Sequence, residues 1–445
     1  MFSLEKPDLK SINWSNIQQV LEDTAHYRSI ISSANYPKYI YWDKFKHKSL
    51  SKKLSAEEQW FLIRASRDAN AIITPIKSID GNYFKWNRLI YVDEKLHVID
   101  MMMGGQLFPQ SKIPLGSRET YINRGVIEEA IASSQLEGAH TTRAAAKKFI
   151  LEKRKPENKS EQMIMNNYKA MLALEDDFKD RKLSRKMLFE LHSLLVDKTL
   201  EKSEQKRFRK DSDDIVIEGM IGSQQYTSYI PPKESFIQSE VDRLIAYAND
   251  ELEGKFIHPI IKAIFIHFWI GYLHPFVDGN GRVARALFYW YLLKSGYWAF
   301  SYLPISTVIK KSPAQYAKAY IYTEQDSDDL TYFFDYQMSK ISQAIKEFNE
   351  YVQKQIGQNK KVERILDSHM SLNERQKQLL FYFISEDKAS TTTTTHSTIN
   401  DVARQTASKD LKSLQRAGLI KSKREGKYTR FYATDRLKKM SEAKK

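Results

Sequence analysis

His274-Pro275-Phe276-Val277-Asp278-Gly279-Asn280-Gly281-Arg282-Val283-Ala284-Arg285 is the stretch on which the reading of this chain turns. Before it, Ile260, Ile261, Ile264, Phe265, Phe268 and Trp269 recur at helical spacing, and residues 283–293 resume that period, so the pattern predicts two apolar helices joined by a short polar loop. Such a loop delivers unsatisfied backbone N–H groups to the start of the second helix, where the helix dipole favours an anion. Gly279 and Gly281 let the backbone approach that anion closely. Arg282 and Arg285, three apart, share one helical face and can grip two phosphate groups. Asp278 suits Mg²⁺, which takes one or two carboxylates and completes its shell with substrate oxygens. His274 is the base of the loop, with an unperturbed pKa of about 6.5 that fits it to take a proton from an attacking hydroxyl at neutral pH. Together these residues describe nucleotidyl or phosphoryl transfer, with loop amides and a metal holding the charge of the phosphate under attack.

Outward from the loop, apolar residues keep mostly helical spacing, as in Val126, Ile127, Ala130, Ile131 and Leu136, and the expected class is mainly α. The 445 residues leave room for two or three domains, and 42% hydrophobic content builds ordinary cores. No repeat of 20 to 50 residues suggests a solenoid. There is no apolar run of about 18 residues, and the opening MFSLEKPDLKSINWSN lacks a signal-peptide core, so no membrane partner is expected and the expected location is the cytoplasm. The absence of cysteine excludes disulfides, thiolate catalysis and sulfur-ligated metals.

The net charge of +15 suggests an anionic partner, either nucleotide phosphates or a nucleic-acid backbone. The excess is concentrated from residue 400 to residue 445, where 14 Lys/Arg face 5 Asp/Glu. Charge alone leaves two readings there, nucleic-acid contact and a solvated basic tail.

The first hundred residues, with Trp14, Trp42, Trp60 and Trp86 among Lys-rich segments, read as a helical scaffold with a hairpin expected over residues 83–96. A second hairpin is expected over residues 215–230, where Ile215-Val216-Ile217 and Gln225-Tyr226-Thr227-Ser228-Tyr229-Ile230 flank Gly219 and Gly222 and Pro231-Pro232 ends the pairing. Near the C-terminus, residues 372–384, 398–403 and 407–417 read as helices, followed by strands at 419–423 and 428–433, a winged-helix order. Ser390–Thr395 reads as low complexity between them. His258 and His267 read as hydrogen-bonded core residues, and His140 and His396 show no partner in the sequence.

The loop resembles the signature of the Fic family, His-x-Phe-x-Asp/Glu-Gly-Asn-Gly/Lys-Arg-x-x-Arg, without departure. The resemblance implies a Fic-type helical core in which His274 is the general base, Asp278 the Mg²⁺ ligand, Gly279, Asn280 and Gly281 the anion cradle, and Arg282 and Arg285 the phosphate clamps. Phe276 is then an apolar anchor. The substrate implied is ATP, and the reaction is attack by a Ser, Thr or Tyr hydroxyl of a target protein on the α-phosphate, releasing pyrophosphate; the chain itself is among the candidate targets.

Ser133-Ser134-Gln135-Leu136-Glu137-Gly138 is similar to the family's inhibitory helix, Ser/Thr-x-x-x-Glu-Gly/Asn. By itself a Glu before a capping Gly is a common surface feature. Within the resemblance, Glu137 pairs with Arg285 and takes the place of the γ-phosphate, Ser133 lies one turn away, and Gly138 stops the helix. The second hairpin then becomes a flap whose Tyr226, Thr227, Ser228, Tyr229 and Ile230 dock the target by strand addition; its other reading is an ordinary structural hairpin. The implied organisation is a scaffold at 1–115, a catalytic core at 116–335, a connecting helix at 336–365, a winged helix at 366–436 and a basic tail at 437–445. The winged helix offers Ser408, Lys409, Lys412 and Arg416 to a DNA groove, or serves protein binding, and similar proteins form homodimers.

Two further readings use the same residues. Glu137 can align a water for removal of AMP from a modified protein, or the chain can be a DNA-binding regulator that senses ATP. UMP and phosphocholine remain alternative groups to AMP.

Overall fold

The apolar run before the loop folds as the helix Pro259–Leu273, and every residue from Ile260 to Leu273 except Gly271 is buried. His258 caps it by accepting from Ile260 N–H, and Pro259 at the first position loses no hydrogen bond there. The second run is the helix Asn280–Lys294, buried from Arg282 to Leu292. Helices apolar on all sides belong in a core. Each fully buried side chain such as Trp269, Leu287 or Trp290 contributes about 1.5–3 kcal/mol of burial.

This computed structural model describes residues 4–48, 50–103, 118–221, 224–252, 254, 256–365, 371–386, 389–426 and 428–442. Gly222, the 115/116 boundary and the last three residues of the basic tail lie outside them, as do the side chains of Tyr226, Thr227 and Ser228. The chain is mainly α, with small antiparallel sheets. No described helix is long and apolar enough to cross a membrane.

Two compact units are present, and they do not follow chain order. The first comprises residues Met1–Gly104, Ala173–Trp298 and Val308–Ser342. Its core helix pair packs against the helices Arg185–Val196 and Glu234–Ala248 and a π-turn at Leu174–Phe178. The expected hairpin at 83–96 is displaced: Ile72–Lys77 pairs with Tyr83–Trp86, and Ile90–Met103 is a helix. Val92, Leu96 and Ile99 are buried at helical spacing, whereas the β-branched Ile72-Ile73-Thr74 and the turn at Gly81 (φ 86°) supply the real hairpin.

The N-terminal helices are tied to this unit by a buried cation. Arg67 lies 3.6 Å over the Tyr39 ring and donates to Asn35 Oδ1, Tyr332 Oη and the carbonyls of Ala34 and Ile40. Tyr332 and Tyr39 in turn donate to Asp326 and Asp329. Removing the cation leaves the Ala34 and Ile40 carbonyls without their donor and the buried Asp326 and Asp329 without the positive charge beside them. Arg67→Ala is therefore expected to destabilise the unit by about 3–5 kcal/mol, seen as a fall in denaturation midpoint.

The second unit comprises Gly105–Leu172, Ala299–Thr307 and Gln343–Lys445. In it Ile127, Ile131, Phe149, Ile150 and Ile164 form one core, against which Ile399 packs. Glu129 accepts from the Ser306 amide and hydroxyl. Asn123 donates to the Thr398 carbonyl and accepts from Tyr168. The C-terminal helices are Glu374–Ser385, Thr393–Asn400 and Arg404–Arg416, followed by Ile420–Glu425 paired with Tyr428–Ala433. The threonine run is not featureless: Thr391–Thr392 adds a third strand, and Thr392 caps the next helix by accepting from Thr395 N–H. His396, which showed no partner in the sequence, faces Asp410 (3.4 Å) and Asn400. Although burial opposes it, hydrogen bonds from His396, Arg375 and Asn373 hold the Asp410 carboxyl well below the usual range.

Candidate active site

The loop begins by bending the chain. His274 ends the helix Pro259–Leu273 in the left-handed region (φ 47°), its N–H donating to Ile270 O. The strained geometry is held from outside: Arg209 Nε donates to the His274 carbonyl (2.8 Å), Arg209 N–H to the Pro275 carbonyl (2.8 Å), and Arg209 Nη2 to the Pro232 carbonyl. Arg209, which is buried, thus ties the loop to the segment that follows the 215–230 hairpin.

Asn280 closes the loop from within, accepting from Phe276 N–H (2.8 Å) and donating to Phe276 O (2.7 Å). Its side chain is spent on the loop's own shape, which leaves its backbone N–H as the group that can face an anion. Phe276 is fully buried against Phe189 and Phe208 and stacks flat on His192, with centroids 3.8 Å apart and planes 6° apart. Gly279 is the N-cap of the next helix at φ 89°, and no side chain caps that helix. A Cβ at Gly279 would sit 2.9 Å from Val196 Cγ1, so only glycine fits.

The two loop arginines part company. Arg282 is fully buried; its Nη1 donates to the Leu195 carbonyl (2.7 Å) and its Nη2 to Asp278 Oδ2 (3.1 Å). Asp278 keeps 42% side-chain exposure, and its Oδ1 accepts from Gly279 N–H. A single half-exposed carboxylate beside uncapped amides fits Mg²⁺ bound to a nucleotide, since that ion needs few protein ligands. No cluster of three or more His, Cys, Asp or Glu residues that could hold a metal ion occurs among the described residues. Arg285, one turn on, is buried near His267 and Tyr320.

His267 is a core histidine, 2.8 Å from Tyr316 Oη, its pKa pushed down to about 3 by burial and then by Arg285. His258 meets Asp100 at 3.1 Å. A group whose folded pKa lies below its unfolded value of about 6.5 binds more protons unfolded, so stability rises with pH between about 3 and 6.5. Moving from pH 7 to pH 5 should therefore cost about 2 kcal/mol through His267, and His267→Phe should flatten that part of the melting-temperature profile.

The hairpin is narrower and one step shifted from expectation. Ile217–Ile221 pairs with Gln224–Tyr229, Gly219 facing Tyr226, with a bulge between Ile217 and Glu218. Tyr229 is anchored, donating to the Tyr272 carbonyl at 2.9 Å, two residues before His274, while Ile230 is exposed. The hairpin's attachment to the loop thus runs through Tyr229 as well as Arg209.

In the second unit, the helix Arg118–Leu136 ends in a closed hydrogen-bonded turn, with Gly138 N–H to Gln135 O (3.3 Å) and Ala139 N–H to Ser134 O (3.0 Å). Gly138 is left-handed (φ 89°) and Glu137 is half-buried at the cap. Ser133 is buried, and Ser134 accepts from Asn167 (3.1 Å).

His192 is the residue that sequence reasoning missed. It lies on the face of Arg185–Val196 that buries Leu188, Leu191 and Leu195, so its burial was legible, but nothing in the sequence shows that it meets the loop. Burial pulls its pKa down to about 4, and its Nε2 lies 2.9 Å from the Asp278 carbonyl.

Residues 182–292 match the Fic/DOC family model, a quarter of the chain. Over 69 residues the chain is 35% identical to proteins named protein adenylyltransferase Fic from Drosophila mojavensis and Drosophila melanogaster. That alignment covers 16% of this chain and only 14% of either relative. Among solved structures, a Fic family protein from Desulfovibrio desulfuricans G20 aligns over 78% of this chain and 95% of its own, at 18% identity and a TM-score of 0.45. Fic-1 from C. elegans aligns over 57% of this chain and 71% of its own, at 17% identity and a TM-score of 0.43.

Proposed function

We propose that this chain, a Fic family protein through its domain at residues 182–292, transfers AMP from ATP to a Ser, Thr or Tyr hydroxyl of a protein. The observation that carries the proposal is the loop itself: a histidine ending one buried helix, a half-exposed carboxylate four residues on, and an uncapped helix N-terminus immediately after it. That arrangement supports reading His274 as the base, Asp278 as the metal ligand and the amides after it as the anion cradle, the groups that phosphoryl-group chemistry requires.

In the proposed reaction His274 takes the proton of the target hydroxyl as that oxygen bonds to the α-phosphorus. The bond from the α-phosphorus to the bridging oxygen breaks, and pyrophosphate leaves. The N–H groups of Asn280 and Gly281, with Arg285, bind the phosphate oxygens, and Gly279, whose own N–H donates to Asp278 Oδ1, shapes the cradle through its left-handed backbone. Arg282, read from the sequence as a second clamp, also fixes the Asp278 carboxylate, a placement that favours a metal-holding role for Asp278. Asp278 would hold Mg²⁺, which would supply charge neutralisation on the phosphates. The hairpin at Ile217–Ile221 and Gln224–Tyr229 offers a strand edge for the target segment.

Autoinhibition by Glu137 belongs to the proposal. A carboxylate at a helix C-terminus opposes the dipole, at about 0.3–1 kcal/mol, so local stability does not account for it. Contact of duplex DNA with the exposed Lys409, Lys412 and Arg416 of the C-terminal winged-helix arrangement, and homodimer formation, are further parts of the reading.

The deciding experiment compares ATP labelled at the α-phosphorus with ATP labelled at the γ-phosphorus, using the Glu137→Gly protein and its own hydroxyls as acceptors. Protein-bound label from the α position alone is expected. Label from the γ position would make the chain a kinase instead.

A further inference from the structure

We infer that His192 is a positioning residue that sets the Asp278 carboxylate and the Gly279 amide in place. The inference rests on the AMP-transfer reading for its activity arm and on geometry alone for its binding arm.

The Asp278 carbonyl can only accept, so the His192 nitrogen 2.9 Å from it must be Nε2–H, and the ring is the neutral tautomer protonated there. That donor is not free to wander. The ring is fully buried and lies flat on Phe276, which is itself clamped by Asn280 through both its N–H and its carbonyl. Val196, one turn along the same helix, closes the space beside Gly279, and the Leu195 carbonyl receives Arg282, whose other nitrogen holds Asp278 Oδ2. One face of Arg185–Val196 therefore touches the loop at the Asp278 carbonyl, at Gly279 and, through Arg282, at the Asp278 carboxylate. Among these contacts His192 is the one that fixes the peptide between Asp278 and Gly279. That peptide carries the Asp278 side chain on one side and, on the other, the Gly279 N–H that donates to Asp278 Oδ1, so a rotation about it would displace the carboxylate and break that bond at once.

His192 touches neither the phosphates nor the reacting hydroxyl in this scheme. Its effect should appear in the binding of Mg²⁺-ATP and not in proton transfer. Partners that orient a metal ligand commonly change metal affinity or activity 10–100-fold when removed.

Two variants separate the hydrogen bond from the packing. His192→Phe keeps a flat ring on Phe276 and loses the donor; His192→Gln keeps an N–H donor of similar reach and loses the ring. Made in the Glu137→Gly background, His192→Phe is expected to raise the Mg²⁺ concentration for half-maximal AMP transfer about tenfold or more. The pH profile of AMP transfer should stay where it is. His192→Gln should recover most of that loss. Binding of Mn²⁺ in the presence of ATP, read by electron paramagnetic resonance, should weaken in the same order without requiring turnover. Equal losses in both variants with unchanged metal dependence would reduce His192 to core packing and overturn the inference. If Glu137→Gly alone transfers no AMP, the functional reading fails, and the Mn²⁺ series still decides the role of His192.

Discussion

In a Glu137→Gly background, replacing His274 by Ala should lower the rate of AMP transfer by about 10²–10⁴-fold, the usual contribution of a positioned general base. His274 sits at φ 47°, where an Ala side chain is strained by about 1–2 kcal/mol, so the loop itself could shift in that variant. His274→Asn is the cleaner probe, because Asn tolerates the left-handed conformation and Arg209 can still donate to the residue's carbonyl. Both variants should lose transfer while keeping Mg²⁺-ATP affinity within a few fold by calorimetry. Initial rates within fivefold of the parent would remove His274 from the chemistry. Burial pulls the pKa values of His267 and His192 down to about 3 and about 4, so neither of them titrates between pH 6 and 7.

The second large effect is expected from Glu137→Gly itself. If Glu137 competes with the γ-phosphate for Arg285, its removal should raise AMP transfer about 5–150-fold, the span of ordinary coupling energies of 1–3 kcal/mol. Ser133 and Ser134 are buried in the helix that ends at Leu136, and Gly138 completes its closing turn whether or not residue 137 has a side chain. Melting temperature should therefore move little, and a gain in activity would not be a by-product of loosening. Intact-mass analysis after incubation with Mg²⁺ and ATP reads the gain directly. Should transfer stay flat while removal of AMP from a modified protein is lost, Glu137 aligns water and the enzyme works in the opposite direction.

These expectations draw on two kinds of information. Periodicity at residues 259–273 and 283–293 made the core helices legible, because helices apolar on every face have few places to go. The loop's composition was legible for a simpler reason: its glycines, histidine, carboxylate and arginines stand close together in sequence between the two helices. The hairpin at 83–96 was misread because Tyr91-Val92 and Val98-Ile99 are β-branched or aromatic pairs that also fit one face of a helix, and burial of Val92, Leu96 and Ile99 favours that helix. The threonine run hid a strand and a cap, since low complexity conceals which Thr side chain turns back to the backbone.

By itself, then, the sequence determined the mainly α class, the two core helices and the identity of the groups in the loop, all of which follow from local spacing and side-chain chemistry. Tertiary structure alone decided that Arg282 turns inward to Leu195, that Arg209 holds the His274 carbonyl, and that His192 lies flat beneath Phe276. It also decided that Glu137 belongs to a unit completed by the C-terminal residues. For the loop contacts the reason is the same: hydrogen bonds and stacking between residues 65 to 87 positions apart are chosen by the packing of whole helices, and no period of 2 or 3.6 records them.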